Sequence, residues 1–288
     1  MPALDHQTDA LIDLALAEDI GTGDVTTTAT VSEDTRAEAR VVAKEHVVVS
    51  GLDVFTRVFA RVDPSVAVRP LVQDGAVVEK GHEIVRVLGP ARSVLTGERV
   101  ALNFLMRLSG IATTTADVVG ALRAYPDTRV VDTRKTTPGF RALEKAAVRH
   151  GGGHNHRFGL FDGVLIKENH IAAAGGIERA VSRAQATAHH LVKIEVEVTN
   201  LDELKLALDA GADGVLLDNM TTPTMRSAVE IVDAFCEETG RTVFVEASGN
   251  MTKQRVPEVA ACGVDIISMG ALTHSARAVD LSMLLTLA

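Results

Sequence analysis

The chain has 288 residues, 46% of them hydrophobic, and carries 29 basic against 38 acidic side chains for a formal charge of −9. That length holds one large or two moderate domains with a sizeable core. The acidic balance, the lack of Trp and the single Tyr125 argue against broad nucleic-acid binding, and no apolar run is long enough to span a bilayer or to follow a basic stretch as a leader.

In chain order, Leu4, Leu11, Leu14 and Ala15 recur at helical spacing and predict a helix near residues 5–18. The stretch Glu18-Asp19-Ile20-Gly21-Thr22-Gly23-Asp24-Val25-Thr26-Thr27 has loop chemistry. Residues 38–50 read as a bent strand or strand pair, 52–61 as a short helix, and Val66–Val72 and Ile84–Leu88 as strands with turns at Asp74-Gly75 and Lys80-Gly81. A lipoyl-like or biotinyl-like carrier presents similar strands, but the Lys80-Gly81 turn lacks the apolar bracket of a modified lysine. Residues 91–124 form one or two helices, with a break expected at Gly110. By spacing alone, Arg99 is a solvated cation on that helix.

From residue 128 the pattern changes. Apolar runs at Val130-Val131, Val164–Ile166, Ile194–Val198, Val215–Leu217, Val243–Val245 and Ile266-Ile267 contain or stop at Asp132, Lys167, Glu197, Asp218, Glu246 and Ser268. These polar residues recur about every 20 to 35 residues, the beat of βα units. Continuous β-branched runs indicate strands buried on both faces of a parallel sheet. Asn200, Thr221 with Pro223, and Asn250 mark helix starts, and Gly211, Gly240 and Gly263 mark stops. Six or seven such units suggest an α/β barrel, possibly incomplete, whose active site lies at the C-terminal ends of the strands. No Gly-x-Gly-x-x-Gly follows an early strand, which weakens a doubly wound alternative. Cys236 and Cys262 both fall in predicted helices, so a disulfide framework is not expected and a cytoplasmic, reducing location is.

Between Arg134 and Lys167 stand seven fixed cations (Arg134, Lys135, Arg141, Lys145, Arg149, Arg157 and Lys167), opposed only by Glu144 and Asp162. A cationic island in an acidic chain points to a small, highly charged anion, with Arg matched to carboxylate and phosphate geometry. Arg141, Lys145 and Arg149, four apart on one helical face, are equally well a solvated surface. At the barrel mouth Arg134, Lys135, Lys167, Glu197, Asp218, Glu246 and Ser248 converge. Glu197 and Asp218 would accept from hydroxyls or hold a hard cation such as Mg²⁺, or else form ion pairs with Lys167 or Lys193. Glu195 lies deeper on the same strand face, where pairing with a neighbouring lysine is one reading. Ser248-Gly249-Asn250 and Met269-Gly270-Ala271-Leu272-Thr273 read as phosphate grips. His150, His154 and His156 have spacings that can bind zinc, but no Cys or carboxylate stands nearby in sequence, and hydrogen bonding to an anion is the other reading.

The motifs Asp132-Thr-Arg-Lys-Thr-Thr-Pro-Gly139, Gly151-Gly-Gly-His-Asn-His-Arg157, Leu165-Ile-Lys-Glu-Asn-His170, Glu195-Val-Glu197, Leu216-Leu-Asp-Asn219, Glu246-Ala-Ser-Gly249 and Gly270-Ala-Leu-Thr-His274 resemble the quinolinate phosphoribosyltransferases, as does the Glu18–Thr27 stretch. Ala146, where the family commonly has an aromatic, and His154 depart from the pattern. The resemblance implies an enzyme that turns quinolinate and phosphoribosyl pyrophosphate into nicotinate mononucleotide, pyrophosphate and carbon dioxide with Mg²⁺, in NAD biosynthesis. It implies an N-terminal α/β sandwich (1–110), an open α/β barrel (111–275) and a C-terminal segment (276–288) packing back on the N-terminal domain. It assigns Arg134, His156, Arg157 and Lys167 to the two carboxylates, Lys135 to the pyrophosphate, Glu197 and Asp218 to the ribose hydroxyls and Mg²⁺, and Ser248, Gly249, Gly270 and Ala271 to the 5′-phosphate. It also implies a homodimer or higher homo-oligomer with shared sites, Arg99 reaching across. A barrel aldolase with Lys167 as Schiff-base amine is a rival that the surrounding cations disfavour.

Overall fold

The computed structural model describes residues 2–287. In chain order the elements are α1 (Pro2–Ile20), α2 (Val25–Thr30), β1 (Arg36–Ala43), β2 (Val47–Val48), α3 (Leu52–Val62), β3 (Ala67–Pro70), β4 (Val77–Val78), β5 (Glu83–Pro90), α4 (Ala91–Ala121), β6 (Arg129–Val131), α5 (Arg141–His150), β7 (Val164–Ile166), α6 (Glu168–Ala174), α7 (Ile177–Thr187), β8 (Ile194–Val198), α8 (Leu201–Asp209), β9 (Gly214–Asp218), α9 (Thr222–Thr239), β10 (Phe244–Ser248), α10 (Val256–Ala260), β11 (Ile266–Ser268), α11 (Ala271–His274) and β12 (Leu281–Leu287). They fall into two compact units. The first runs through Ala116, takes in Thr136–Gly152 and resumes at Leu272, and the second comprises Asp117–Lys135 and Gly153–Ala271.

The first unit is built on an antiparallel sheet ordered β12-β1-β5-β3. Period-two alternation puts Ala37, Ala39 and Val41 of β1 on its buried face, where Ala39 stands opposite Val87 of β5 and Leu285 of β12. The amphipathic α3 lays Phe55 and Phe59 onto the core, their rings meeting edge to face at 5.2 Å, with Ile12 of α1 and Leu102 and Leu105 of α4 in the same cluster. Burying each such ring stabilises the fold by about 2–3 kcal/mol. Asp24 caps α2 by accepting from the Thr27 amide at 2.9 Å. The break expected at Gly110 does not occur, since α4 continues through it for 31 residues. A Cβ there would lie 1.9 Å from the Arg277 carbonyl oxygen, so the glycine permits close backbone approach.

The second unit is a six-stranded parallel sheet ordered β6-β11-β10-β9-β8-β7. The six apolar runs are its six strands. β6 and β7, consecutive in the chain, form the two edges, which makes this an open α/β barrel. Asn200 caps α8 by accepting from the Asp202 and Glu203 amides, Thr221 caps α9 ahead of Pro223, and Gly240 ends α9 with left-handed backbone. Asn250 departs from its expected place at a helix start. Its φ is +47° and the next helix, α10, opens only at Val256. Cys236 lies in α9, Cys262 lies just past α10, and both are free thiols. Register sets Ser248 beside Asp218 and Glu197 beside Leu216, so these polar residues share the C-terminal rim.

Candidate active site

At the end of β6, fully buried Asp132 organises the histidine loop. It accepts from the Asn155 side-chain amide at 2.5 Å and from the His156 backbone amide at 3.0 Å. The His156 Nε2 then lies 3.5 Å from Glu195 Oε2 and 3.5 Å from Glu246 Oε2. Glu195 therefore meets an imidazole and a second carboxyl. Both glutamates are buried, and their Oε1 atoms have no hydrogen-bond partner among the described residues. Burial first, and the neighbouring Glu195 charge second, push the Glu246 pKa up to about 7.

One atom from each of His156, Glu195 and Glu246 lies within 4.8 Å of the others, a spacing that a metal could bridge. The hydrogen bonding points elsewhere. His156 Nδ1 accepts from the Arg157 backbone amide at 2.7 Å, so the ring proton belongs on Nε2, facing the two carboxyls. His156 acts there as donor. In the first unit His150 Nδ1 sits 2.8 Å from Ser50 Oγ, and in the second the His154 backbone extends the sheet by bridging to Val131.

Arg157 donates to the Gly163 carbonyl at 2.9 Å, and burial followed by the like charge of Arg134 holds its pKa below the ordinary arginine value. The two arginines expected to share a dicarboxylate thus feel each other's charge. Asp162 closes the turn after Arg157 by accepting from the Phe158 and Gly159 amides. Lys167, at the end of β7, forms an ion pair with Glu197 of β8. Half-buried Asp218, at the end of β9, accepts from the Asn219 side-chain amide at 3.0 Å. Arg134 and Lys135 are exposed on the loop after β6. Ser248 and Gly249 close β10, and Gly270 with Ala271 leads into α11, where the Met269 amide pins the loop to the Val131 carbonyl at 2.9 Å.

Arg99 is exposed on α4, in the first unit. Arg141, Lys145 and Arg149 ride on α5, also in the first unit, and Lys145 is only 1% exposed, unlike a solvated helix face. The sequence assigns no role to Asn219 or Arg255, and places Asn250 in a phosphate grip and at a helix start. The signal available was the pairing of each asparagine with a strand-end motif residue, Asp218-Asn219 and Gly249-Asn250.

The rim therefore offers arginine and lysine side chains beside carboxylates and two glycine-bearing strand ends, a chemistry suited to a dicarboxylate and a phosphorylated sugar. Residues 111–284 match the family described as quinolinate phosphoribosyl transferase, C-terminal domain, and residues 24–109 match its N-terminal domain. The chain is 44% identical to a probable nicotinate-nucleotide pyrophosphorylase [carboxylating] of Bacillus subtilis, over 94% of this chain and 90% of that one. It is 43% identical to the chloroplastic nicotinate-nucleotide pyrophosphorylase [carboxylating] of Oryza sativa, over 95% and 76%. The crystal structure of NadC from Streptococcus pyogenes superimposes with a TM-score of 0.91 at 40% identity, covering 98% of each chain.

Proposed function

The chain belongs to the quinolinate phosphoribosyltransferase family, and on that premise we propose how its residues carry out the reaction. It is a pentosyltransferase of NAD biosynthesis that converts quinolinate and phosphoribosyl pyrophosphate to nicotinate mononucleotide, pyrophosphate and carbon dioxide. The observation that carries this reading is the family match over nearly the whole chain, joined to a rim whose cations and glycine-bearing strand ends suit both anions.

Arg134, Arg157 and Lys167 take the two carboxylates of the pyridine. The crowding of Arg157 by Arg134 supports this, because two like charges close together favour a dianion between them. His156, whose ring nitrogens face Glu195, Glu246 and the Arg157 amide, holds the loop that carries Arg157. The quinolinate ring nitrogen attacks the anomeric carbon as pyrophosphate leaves, and positive charge builds on the sugar. Glu197 and Asp218 accept from the ribose hydroxyls and stabilise that charge, while Lys135 stabilises the departing pyrophosphate. Ser248, Gly249, Gly270 and Ala271 hold the 5′-phosphate. N-alkylation makes the ring a pyridinium. The bond to the 2-carboxylate then breaks, carbon dioxide leaves, and the electron pair left at that carbon takes a proton.

Glu197 and Asp218 suit Mg²⁺: each is half-buried with one oxygen already engaged, and Mg²⁺ takes few protein carboxylates while keeping water and substrate phosphate. When bound, it would neutralise charge on the pyrophosphate. Arg99, exposed on its helix, would reach the site of a second copy in a homodimer or larger assembly. Among the described residues no helix is long and apolar enough to cross a membrane, and the two free thiols fit a reducing compartment such as the cytoplasm.

The test is release of labelled carbon dioxide from the 2-carboxylate of quinolinate, with and without phosphoribosyl pyrophosphate and Mg²⁺. Release that requires every component supports the reading. No release, with phosphoribosyl pyrophosphate still bound, moves the protein to a different acceptor.

A further inference from the structure

Among the described residues only two that are not glycine hold left-handed backbone, Asn219 at φ +53° and Asn250 at φ +47°. Asparagine tolerates this region better than most residues, but glycine adopts it at less cost. An asparagine kept where glycine would relax the chain points to work done by its side chain. At Asn219 that work is visible. Its Nδ2 donates to Asp218 Oδ2 at 3.0 Å, and its Oδ1 accepts from Asn250 Nδ2 at 3.0 Å. The polarity of this relay is forced, because a carboxylate can only accept, which turns the Asn219 donor toward Asp218 and its acceptor toward Asn250.

The surroundings are shaped to fit the amide. A Cβ on Gly249, which has φ +90°, would lie 2.2 Å from Asn219 Oδ1 and 2.4 Å from its Cγ. The Asn219 side chain therefore occupies the space that any larger residue at 249 would need. The backbone is tied across the same gap. The Asn219 amide donates to the Ser248 carbonyl at 3.0 Å, while Arg255 donates to the Gly249 carbonyl at 3.1 Å and to the Met220 carbonyl at 2.9 Å. The loops after β9 and β10 thus form one braced unit, with the Asn219 amide as its side-chain link.

We propose that Asn219 is a positioning residue that joins the 248–250 loop to the Asp218 carboxylate, fixing one oxygen of Asp218 so that the other faces the sugar. This rests on the reading of Asp218 as acceptor for the ribose hydroxyls and of Ser248-Gly249 as part of the 5′-phosphate grip. Seating the phosphate on the loop then steadies the carboxylate that meets the ribose, and the two contacts to one substrate act together. Quinolinate, held by Arg134, Arg157 and Lys167, lies outside this relay.

The test compares Asn219→Gly, Asn250→Gly and Asp218→Asn in the full-length protein. The readouts are kcat, KM for each substrate, calorimetric affinity for phosphoribosyl pyrophosphate and for quinolinate alone, and thermal unfolding. Glycine suits φ +53°, so Asn219→Gly is expected to unfold at or above the wild-type temperature. Its kcat/KM for phosphoribosyl pyrophosphate should fall by roughly 10- to 100-fold, since misplacing a catalytic group by about 1 Å costs that much, and its affinity for quinolinate should not change. Asn250→Gly should lower the same parameter by less. Wild-type kinetics in Asn219→Gly, or equal losses toward both substrates together with a lower unfolding temperature, overturns the proposal. If Asp218→Asn damages phosphoribosyl pyrophosphate kinetics while Asn219→Gly does not, only the relay fails. If Asp218→Asn has no effect, the role of Asp218 fails and takes the relay with it.

Discussion

Glu246 meets His156 from the strand next but one to Glu195's, so that a single imidazole nitrogen stands 3.5 Å from two buried carboxyls. With its pKa pushed up to about 7, the folded protein keeps a proton on Glu246 that the unfolded chain gives up near the ordinary value of 4.5. The folded state is therefore favoured most below that ordinary value, and this contribution is lost as pH rises through about 7. Between pH 5 and pH 8.5 the wild type should lose more stability than Glu246→Gln by on the order of 1–3 kcal/mol. Urea unfolding at the two pH values measures the difference, and parallel pH profiles for the two proteins would sink the idea.

Arg157 and Lys135 should separate binding from turnover. Arg157 sits beside the like charge of Arg134, where an anion relieves repulsion, so Arg157→Ala should chiefly weaken quinolinate binding. Lys135→Ala should lose turnover by roughly 10²- to 10³-fold with little change in quinolinate affinity. Steady-state kinetics with calorimetry decides it, and unchanged quinolinate affinity in Arg157→Ala rejects the division.

Two glycines of one helix should respond to alanine with opposite signs. At Gly110 the new methyl would overlap the Arg277 carbonyl, whereas at Gly120 nothing lies within 4 Å. Gly110→Ala should destabilise by about 1–3 kcal/mol or more, because the neighbour is backbone. Gly120→Ala should stabilise by up to about 1 kcal/mol through helix propensity. Thermal unfolding of both reads the contrast, which disappears if Gly110 is merely tolerated in its helix.

Glu144 is fully buried and accepts from Arg107 at 2.9 Å, from the Thr137 amide at 3.0 Å and from the Thr137 hydroxyl at 2.8 Å. Glu144→Ala strands three donors and should cost about 3 kcal/mol. Chemical denaturation checks this, and a loss below about 0.5 kcal/mol would mean that water replaces the carboxylate without penalty.

The sheet of the second unit was legible because parallel strands buried on both faces leave continuous apolar runs, and each run ends where the rim begins. The polar residues at those ends, Lys167, Glu197, Asp218 and Ser248, followed directly. What the sequence hid depends on partners distant in the chain. Gly110 reads as a helix breaker until Arg277 is known to press against it. Glu195 could be placed on the face of Glu197 by parity, but its neighbours come from the loop at residue 156 and the strand at 246. Asn250 has the signature of a helix start, and only its bond to Asn219, on the neighbouring strand's loop, explains why its backbone turns the other way.

The pairing of β12 with β1 also sets an order of events during synthesis. Residues Ala37–Ala43 align with Leu281–Leu287, so the first sheet lacks an outer strand until the ribosome has added ~240 more residues, a wait of roughly 10–50 s at ordinary elongation speeds. β1 thus emerges long before the strand that covers its edge. A nascent chain stalled before residue 281 would expose the edge of β1, which makes that strand the natural place for a chaperone to act or for newly made copies to stick together.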